Sequence, residues 1–212
     1  MSEILLAIAQ GIPLTILVTV SAFALGVLCA APLILAQRTP SKILTWLARG
    51  VIDILRGVPV LVWLFLLYFG ITIGDFVFDP LPAAIIALGL TSGAHLAETG
   101  RTALEAVPRH QWESARALGL SRSATFWLVL VPQAVKIALP SATSFALVLL
   151  KDSSIPSVIG VTEISFQTTR VARETGVPLN AYVAAVVCYL ALSLPLAFLS
   201  RRSAPARRQE VR

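Results

Sequence analysis

Residues 105–140 read EAVPRHQWESARALGLSRSATFWLVLVPQAVKIALP, polar at the start, apolar at the end, and set between two hydrophobic segments. Within this stretch, Glu113-Ser114-Ala115-Arg116-Ala117-Leu118-Gly119 predicts a short helix with a defined stop. Glu113, Ala117 and Leu118 can share one helical face, as can Ser114 and Ala115 with Leu118. Small side chains at 114, 115 and 117 let a second surface approach closely. Gly119 can take the left-handed conformation that ends a helix, and Ser121 can cap the next one. Arg116 and Arg122 stay wet. Spacing alone leaves two readings open, a docking element for a partner and an ordinary helical hairpin.

Working outward, the surroundings of this stretch are membrane-like. Of the 212 residues 57% are hydrophobic and only 13% charged, with a mean hydropathy of +0.83. A soluble domain carries roughly 25% charge, so water is not the sole solvent of this surface. The apolar runs far exceed the ~9–11 residues of a barrel strand, so the expected class is an all-α polytopic membrane protein, one transmembrane domain over residues 1–212. The net charge of +6 is read as topological, since Lys and Arg gather in cytoplasmic loops, and no nucleic-acid partner is expected. Cys29 and Cys188 lie in apolar runs with neither disulfide nor metal spacing. Met1-Ser2-Glu3 lacks a basic leader, so the first apolar segment is expected to be a retained span.

Five spans are expected, at about 12–36, 57–74, 81–99, 137–155 and 179–200, with an interfacial lead-in before the first. Residues 41–55 are expected to form an amphipathic helix near the membrane surface. Asp75 and Asp79 follow the second span, and Pro80 and Pro82 open the third. No internal repeat is present. With five spans, the 37–56 loop, the 100–136 loop and the C-terminal tail share one side and hold 14 of the 17 Lys and Arg. That side is cytoplasmic, which puts the N-terminus outside and the C-terminus inside.

The fourth apolar run, residues 137–150, is short. Its length of roughly 21 Å falls below a hydrocarbon core of about 30 Å. If Lys136 marks the cytoplasmic interface, Lys151 and Asp152 lie within the membrane, followed by Ser153, Ser154 and the helix-breaking Pro156. Charged groups at that depth mark function or are paired internally, and broken helices near the midplane are where transporters hold polar ligands. The competing reading starts the helix near Ala124 and lets Lys151 snorkel to the outer interface. Pro132 and Pro140 argue against that longer, unbroken helix.

Glu113-Ser114-Ala115-x-x-x-Gly119, with Val131-Pro132 and Ile137-x-Leu139-Pro140 after it, resembles the "EAA" loop of ABC-importer permease subunits. Arg56-Gly57-Val58-Pro59, Ser92-Gly93-Ala94-His95-Leu96-Ala97-Glu98, Val107-Pro108-x-x-Gln111-Trp112-Glu113 and Leu149-Leu150-Lys151-Asp152-Ser153-Ser154 are similar to the polar amino acid subfamily, which includes histidine, glutamine and arginine permeases. The similarity covers about residues 10–200. It implies a permease of the bacterial cytoplasmic (inner) membrane, paired with a second, identical or related permease subunit. It also implies two ATPase subunits docked on the EAA loops, an external solute-binding protein, and alternating access driven by ATP. The coupling loop would span about 101–123, with Glu113, Ser114, Ala115, Arg116, Leu118 and Gly119 in the contact. Three positions depart from the family pattern, Ser114 for alanine, Val131 for leucine, and Pro156 for a smaller residue. The chain has no Walker Gly-x4-Gly-Lys-Ser/Thr motif. It is therefore expected to bind no cofactor, with ATP and Mg held by the partner ATPase.

A free amino acid needs an acceptor for its ammonium and donors for its carboxylate. Asp152 is the candidate for the ammonium, and Ser153, Ser154 and Ser92 for the carboxylate. Glu98 is a second acid, with Arg101 three residues on as its competing partner. Lys151 completes the set, with an acid on the neighbouring subunit as its alternative role. A compatible-solute or opine importer of the same build is the nearest alternative. Ser92 and His95, three apart on one helix, raise an intramembrane serine hydrolase, but nothing supplies an oxyanion hole or a third member. A channel or ATP-independent carrier is a further alternative, distinguished by flux that survives ATP depletion.

Overall fold

The computed structural model describes residues 2–70, 72–73 and 76–203, so the expectation for Asp75 lies outside the described residues. Among the described residues the regular structure is helical except for a short antiparallel pair, β1 (Thr72–Ile73) against β2 (Phe76–Val77). The helices are α1 (Ser2–Ala9), α2 (Ile12–Ala36), α3 (Lys42–Gly57), α4 (Val60–Gly70) and α5 (Pro80–Glu105). They continue with α6 (Arg109–Ala117), α7 (Arg122–Ala124), α8 (Val131–Asp152), α9 (Ile164–Thr175) and α10 (Pro178–Ser203). Four helical runs are long and apolar enough to cross a membrane, Ser2–Ala36, Pro80–Glu105, Arg122–Ile159 and Pro178–Arg201.

The second expected span takes a different form. α4 has 11 residues, about 16 Å of helix, too short to cross alone. It follows α3 across a bend of 96°. The bend falls at Val58-Pro59, where Val58 is extended at φ −102°, ψ 133°, as a residue before proline prefers. Counted as one broken span, the pair brings the candidates to five. The amphipathic helix expected at 41–55 is α3, started by the Ser41 hydroxyl accepting from the Leu44 N–H at 3.4 Å.

Of the two readings of the fourth span the structure takes the longer, because the helical run is continuous from Arg122 and Pro132 and Pro140 do not end it. Thr125–Leu130 is π-helical and leads directly into Pro132. The wider turn accommodates a residue that cannot donate to the carbonyl one turn back. Pro140 lies inside α8, where the Thr143 hydroxyl donates to the Leu139 carbonyl at 2.7 Å.

The organising contact is α2 against α5, which run parallel, with Leu25 at Gly89, Cys29 at Gly93 and Ile34 at Gly100. A Cβ added at Gly26 would stand 2.6 Å from the Cβ of Ser92, and one at Gly93 2.7 Å from the Cβ of Cys29. Only glycine permits that approach. Around this seam α4 buries Leu64 among Ala83, Ala84 and Leu88, and α3 sets Ile52 among Ala30, Ala94 and Ala97. A second cluster joins Ile8 of α1, Ile164 and Val171 of α9, and Ala181 and Ala184 of α10. Large apolar side chains stay exposed along α10, Leu179, Val186 and Phe198 among them, as on a surface that meets hydrocarbon or another helix rather than water.

Candidate coupling helix and ligand site

α6 is closed as its sequence predicts. Gly119 sits at φ +75°, its N–H donates to the Arg116 carbonyl at 3.0 Å, and the Leu120 N–H donates to the Ala115 carbonyl at 3.1 Å. That bond pair is the Schellman termination, which satisfies carbonyls the helix would otherwise leave open. The Ser121 hydroxyl then accepts from the Ala124 N–H at 3.1 Å and starts α7. Glu113, Ser114, Arg116, Ala117 and Gly119 are exposed, and Leu118 stands 81% exposed. Ala115 alone of the motif is buried, so its methyl seats the helix and the rest of the motif faces outward. Two further contacts tether α6. The Gln133 amide donates to the Gln111 side-chain oxygen at 3.2 Å, and the Arg38 guanidinium lies 5.6 Å from the ring centroids of both Trp112 and Phe126.

α8 stops at Asp152. Ser153 is its buried C-cap, with its hydroxyl donating back to the Leu150 carbonyl at 2.7 Å. A 3-10 turn, Ile155–Ile159, begins on Pro156 and ends at Gly160 with φ +97°. Asp152 is half-buried, and its carboxylate makes no ion pair or side-chain hydrogen bond among the described residues. Lys151 is exposed and lines a groove of about 380 Å³ with Ser165, Thr168, Tyr189 and Ser193. Ser154 lies alongside Tyr189 on the same side.

The other two candidates stand elsewhere. Ser92 is fully buried in the α2–α5 seam against Gly26, its hydroxyl without a hydrogen-bond partner among the described residues. Glu98 pairs with Arg101, which also binds Glu105 at 2.7 Å. His95 stacks on Phe145 with centroids 4.9 Å apart and makes no hydrogen bond to Ser92 among the described residues, so the dyad a hydrolase needs is not assembled.

A buried node beneath the break was not foreseen. Glu163 is fully buried at the N-cap of α9. Its carboxylate accepts from the Phe166 N–H at 2.9 Å and from the Tyr189 hydroxyl at 2.9 Å. The neighbouring Ile164 N–H donates to Thr15 at 3.2 Å, and Gly11 presses on the same backbone. Burial raises the Glu163 carboxyl, and its hydrogen bonds oppose that rise. Glutamate is not among the usual N-cap residues, which is why its position carried no signal; the αL glycines at 160 and 176 that bracket α9 were the readable cue. Glu163→Ala is expected to cost about 2–4 kcal/mol, losing a cap and leaving the Tyr189 hydroxyl with Ser165 but without its buried carboxylate acceptor. Glu163→Gln keeps an acceptor and should lie within ~1 kcal/mol of the parent. Thermal unfolding of the two variants in one detergent checks the ordering, and equal stabilities would deny the node its role.

Residues 22–209 match the family described as binding-protein-dependent transport system inner membrane component. The chain belongs to this family. It is similar to the arginine ABC transporter permease protein ArtQ of Escherichia coli K12, at 31% identity over 92% of both chains. It is also 31% identical to the L-cystine transport system permease protein TcyB of Bacillus subtilis, over 92% of this chain and 86% of the relative. Among solved structures, the crystal structure of an amino acid ABC transporter with histidines superposes with a TM-score of 0.86, at 30% identity over 92% of both chains. The resemblance to polar amino acid permeases therefore holds. This family member is the permease subunit of an ABC importer, a multi-pass component of the inner membrane rather than an ATPase.

Proposed function

We propose that this permease imports a polar amino acid, that α6 is the helix on which an ATPase docks, and that Asp152 receives the ligand's ammonium. The substrate class is supported by relatives named for arginine and cystine. Docking is carried by one observation, the Schellman-closed α6 with Glu113, Ser114, Arg116, Leu118 and Gly119 exposed around a buried Ala115. A short rigid helix seated by its own core can transmit force without bending. The complete importer on this reading has two ATPase subunits holding ATP and Mg, a second permease subunit and an external solute-binding protein. The permease crosses the bilayer five times, with its N-terminus outside and its C-terminus in the cytoplasm.

The depth of Asp152 supports the ligand reading. From the Phe145–His95 stack, at 1.5 Å per residue, Asp152 rises about 10 Å toward the outside while α5 rises about 22 Å to Pro80. The α8 break therefore falls about 12 Å short of the end of its neighbour, and Tyr189, which lines the groove with Lys151, lies about 16 Å from the start of α10. A carboxylate without a partner at that depth is expensive unless a cation arrives. Ser154 and Lys151 beside it are the donors nearest to hand for the ligand's carboxylate. Ser153, bonded to its own helix, and Ser92, sealed in the seam, fit a ligand role less well, and Glu98 is already paired.

Purification of the tagged chain from its native membranes, with mass spectrometry of what accompanies it, tests the assembly. An ATPase in stoichiometric yield is expected, and any second permease would decide between a homodimer and a heterodimer. Recovery of the chain by itself would sink the docking reading.

A further inference from the structure

Three arginines meet where α2, α6 and α7 come together, with Glu113 one turn before Arg116 on α6 as the nearest acid in sequence. Arg38, Arg116 and Arg122 line one cavity of about 590 Å³, together with Ser123 and Trp112. None of the three forms an ion pair among the described residues. Arg38 is instead held over the Trp112 and Phe126 rings, which fixes a cation in place without neutralising it. Directly beside this cavity is a second of about 190 Å³, running between α2, α5 and α8 past Ala31, Gly100 and Ala138. The two share Leu35, Phe126 and Trp127 as a common wall. The second cavity is apolar throughout, and Trp127 between them is half-exposed, the disposition of an aromatic at a membrane–water boundary.

We propose that the paired cavities bind one anionic phospholipid of the cytoplasmic leaflet, with its phosphate among Arg38, Arg116 and Arg122 and an acyl chain in the crevice between α2 and α8. The two halves match the two halves of such a molecule. Guanidinium groups receive phosphate oxygens through paired N–H donors, and a basic pocket between helices on the cytoplasmic side is where anionic headgroups settle. A soluble phosphate would use the arginines and ignore the crevice. An acidic protein surface would do the same, since a crevice on the flank of the spans opens toward hydrocarbon. Arg116 belongs to α6, so a bound headgroup would bridge α6 to the ends of α2 and α7 and hold the docking helix in place.

The test uses the full importer, delipidated in a mild detergent and titrated with dioleoyl phosphatidylglycerol or dioleoyl phosphatidylcholine, with bound lipid counted by native mass spectrometry. One phosphatidylglycerol per permease chain is expected, held at least tenfold more tightly than phosphatidylcholine. Each arginine removed should weaken it about fivefold, so Arg38→Gln with Arg122→Gln weakens it about 25-fold. The matching Lys pair should restore most of the binding, which separates lost charge from a damaged fold. Ala31→Phe narrows the crevice with all three arginines intact and should weaken phosphatidylglycerol as well. Undiminished phosphatidylglycerol binding by the double Gln variant would overturn the proposal. Competition by inorganic phosphate or glycerol 3-phosphate at equal concentration would also overturn it, as the mark of a simple anion site. So would loss of the ATPase from the double Gln variant in phosphatidylcholine alone, as the mark of a protein contact. Counting lipids does not depend on which amino acid is carried, so this result stands or falls apart from the transport reading.

Discussion

Uptake through an importer built on Asp152→Asn falls at least tenfold, while the complex still assembles. The substitution keeps size and shape and removes only the charge. A hydrogen bond between charged groups is worth about 1.5–3 kcal/mol against about 1 for a neutral one. At the depth proposed for Asp152, water does little to replace it. The loss should fall on the ligand, as a raised half-saturating concentration in proteoliposome uptake of L-arginine, L-glutamine and L-cystine, each assayed alone. ATP turnover without ligand should be unchanged, because Asp152 is far along the chain from α6 and shares no contact with it. Normal uptake by a well-expressed Asp152→Asn protein would remove the residue from the site.

The second large effect is at Gly119, where two substitutions separate two roles. A Cβ at this position meets nothing within 4 Å, so the site has room, but φ is +75°. Asn and Asp tolerate that conformation better than other side chains. Gly119→Asn should keep the Schellman turn and the fold. Gly119→Asp keeps the turn too, yet places a fresh charge on the exposed rim of α6, and the ATPase should no longer co-purify. Gly119→Val opposes the backbone itself, at about 1–2 kcal/mol, and should fray α6. Recovery of a full complex from Gly119→Asp would move the docking surface elsewhere.

The helices were legible because hydrocarbon demands long uncharged runs, and α2, α5 and α10 came out close to their expected bounds. α6 and its closure were legible because Gly119 and Ser121 act locally, each through bonds to residues at most five positions away. What escaped was set by tertiary contact. Composition separated the amphipathic residues 41–55 from the apolar run after them, but it could not show that the helix of that run is only Val60–Gly70 and leaves α3 across a 96° bend at Pro59. The two prolines of α8 left its start open between two readings, because the π turn that absorbs the first has no pattern of its own. Glu163 escaped for a similar reason, since its partners, Thr15 and Tyr189 among those of its node, lie on helices at opposite ends of the chain.

The glycine seam between α2 and α5 has a mechanical consequence. Two helices meeting with Gly26 on Ser92 and Gly93 on Cys29 are keyed like a toothed joint. Sliding by one residue would drive Cβ atoms into backbone, so the pair travels as a single strut. Whatever motion opens this permease to one side and then the other must be taken up elsewhere. α8 is the member with irregular backbone at both ends, a π turn before Pro132 and the break after Asp152, and so the expected place for that motion. Spin labels on the outer ends of α2 and α5 should therefore hold one separation through the ATP cycle, while a label on α8 shifts against both. A changing α2–α5 distance would mean that the strut bends.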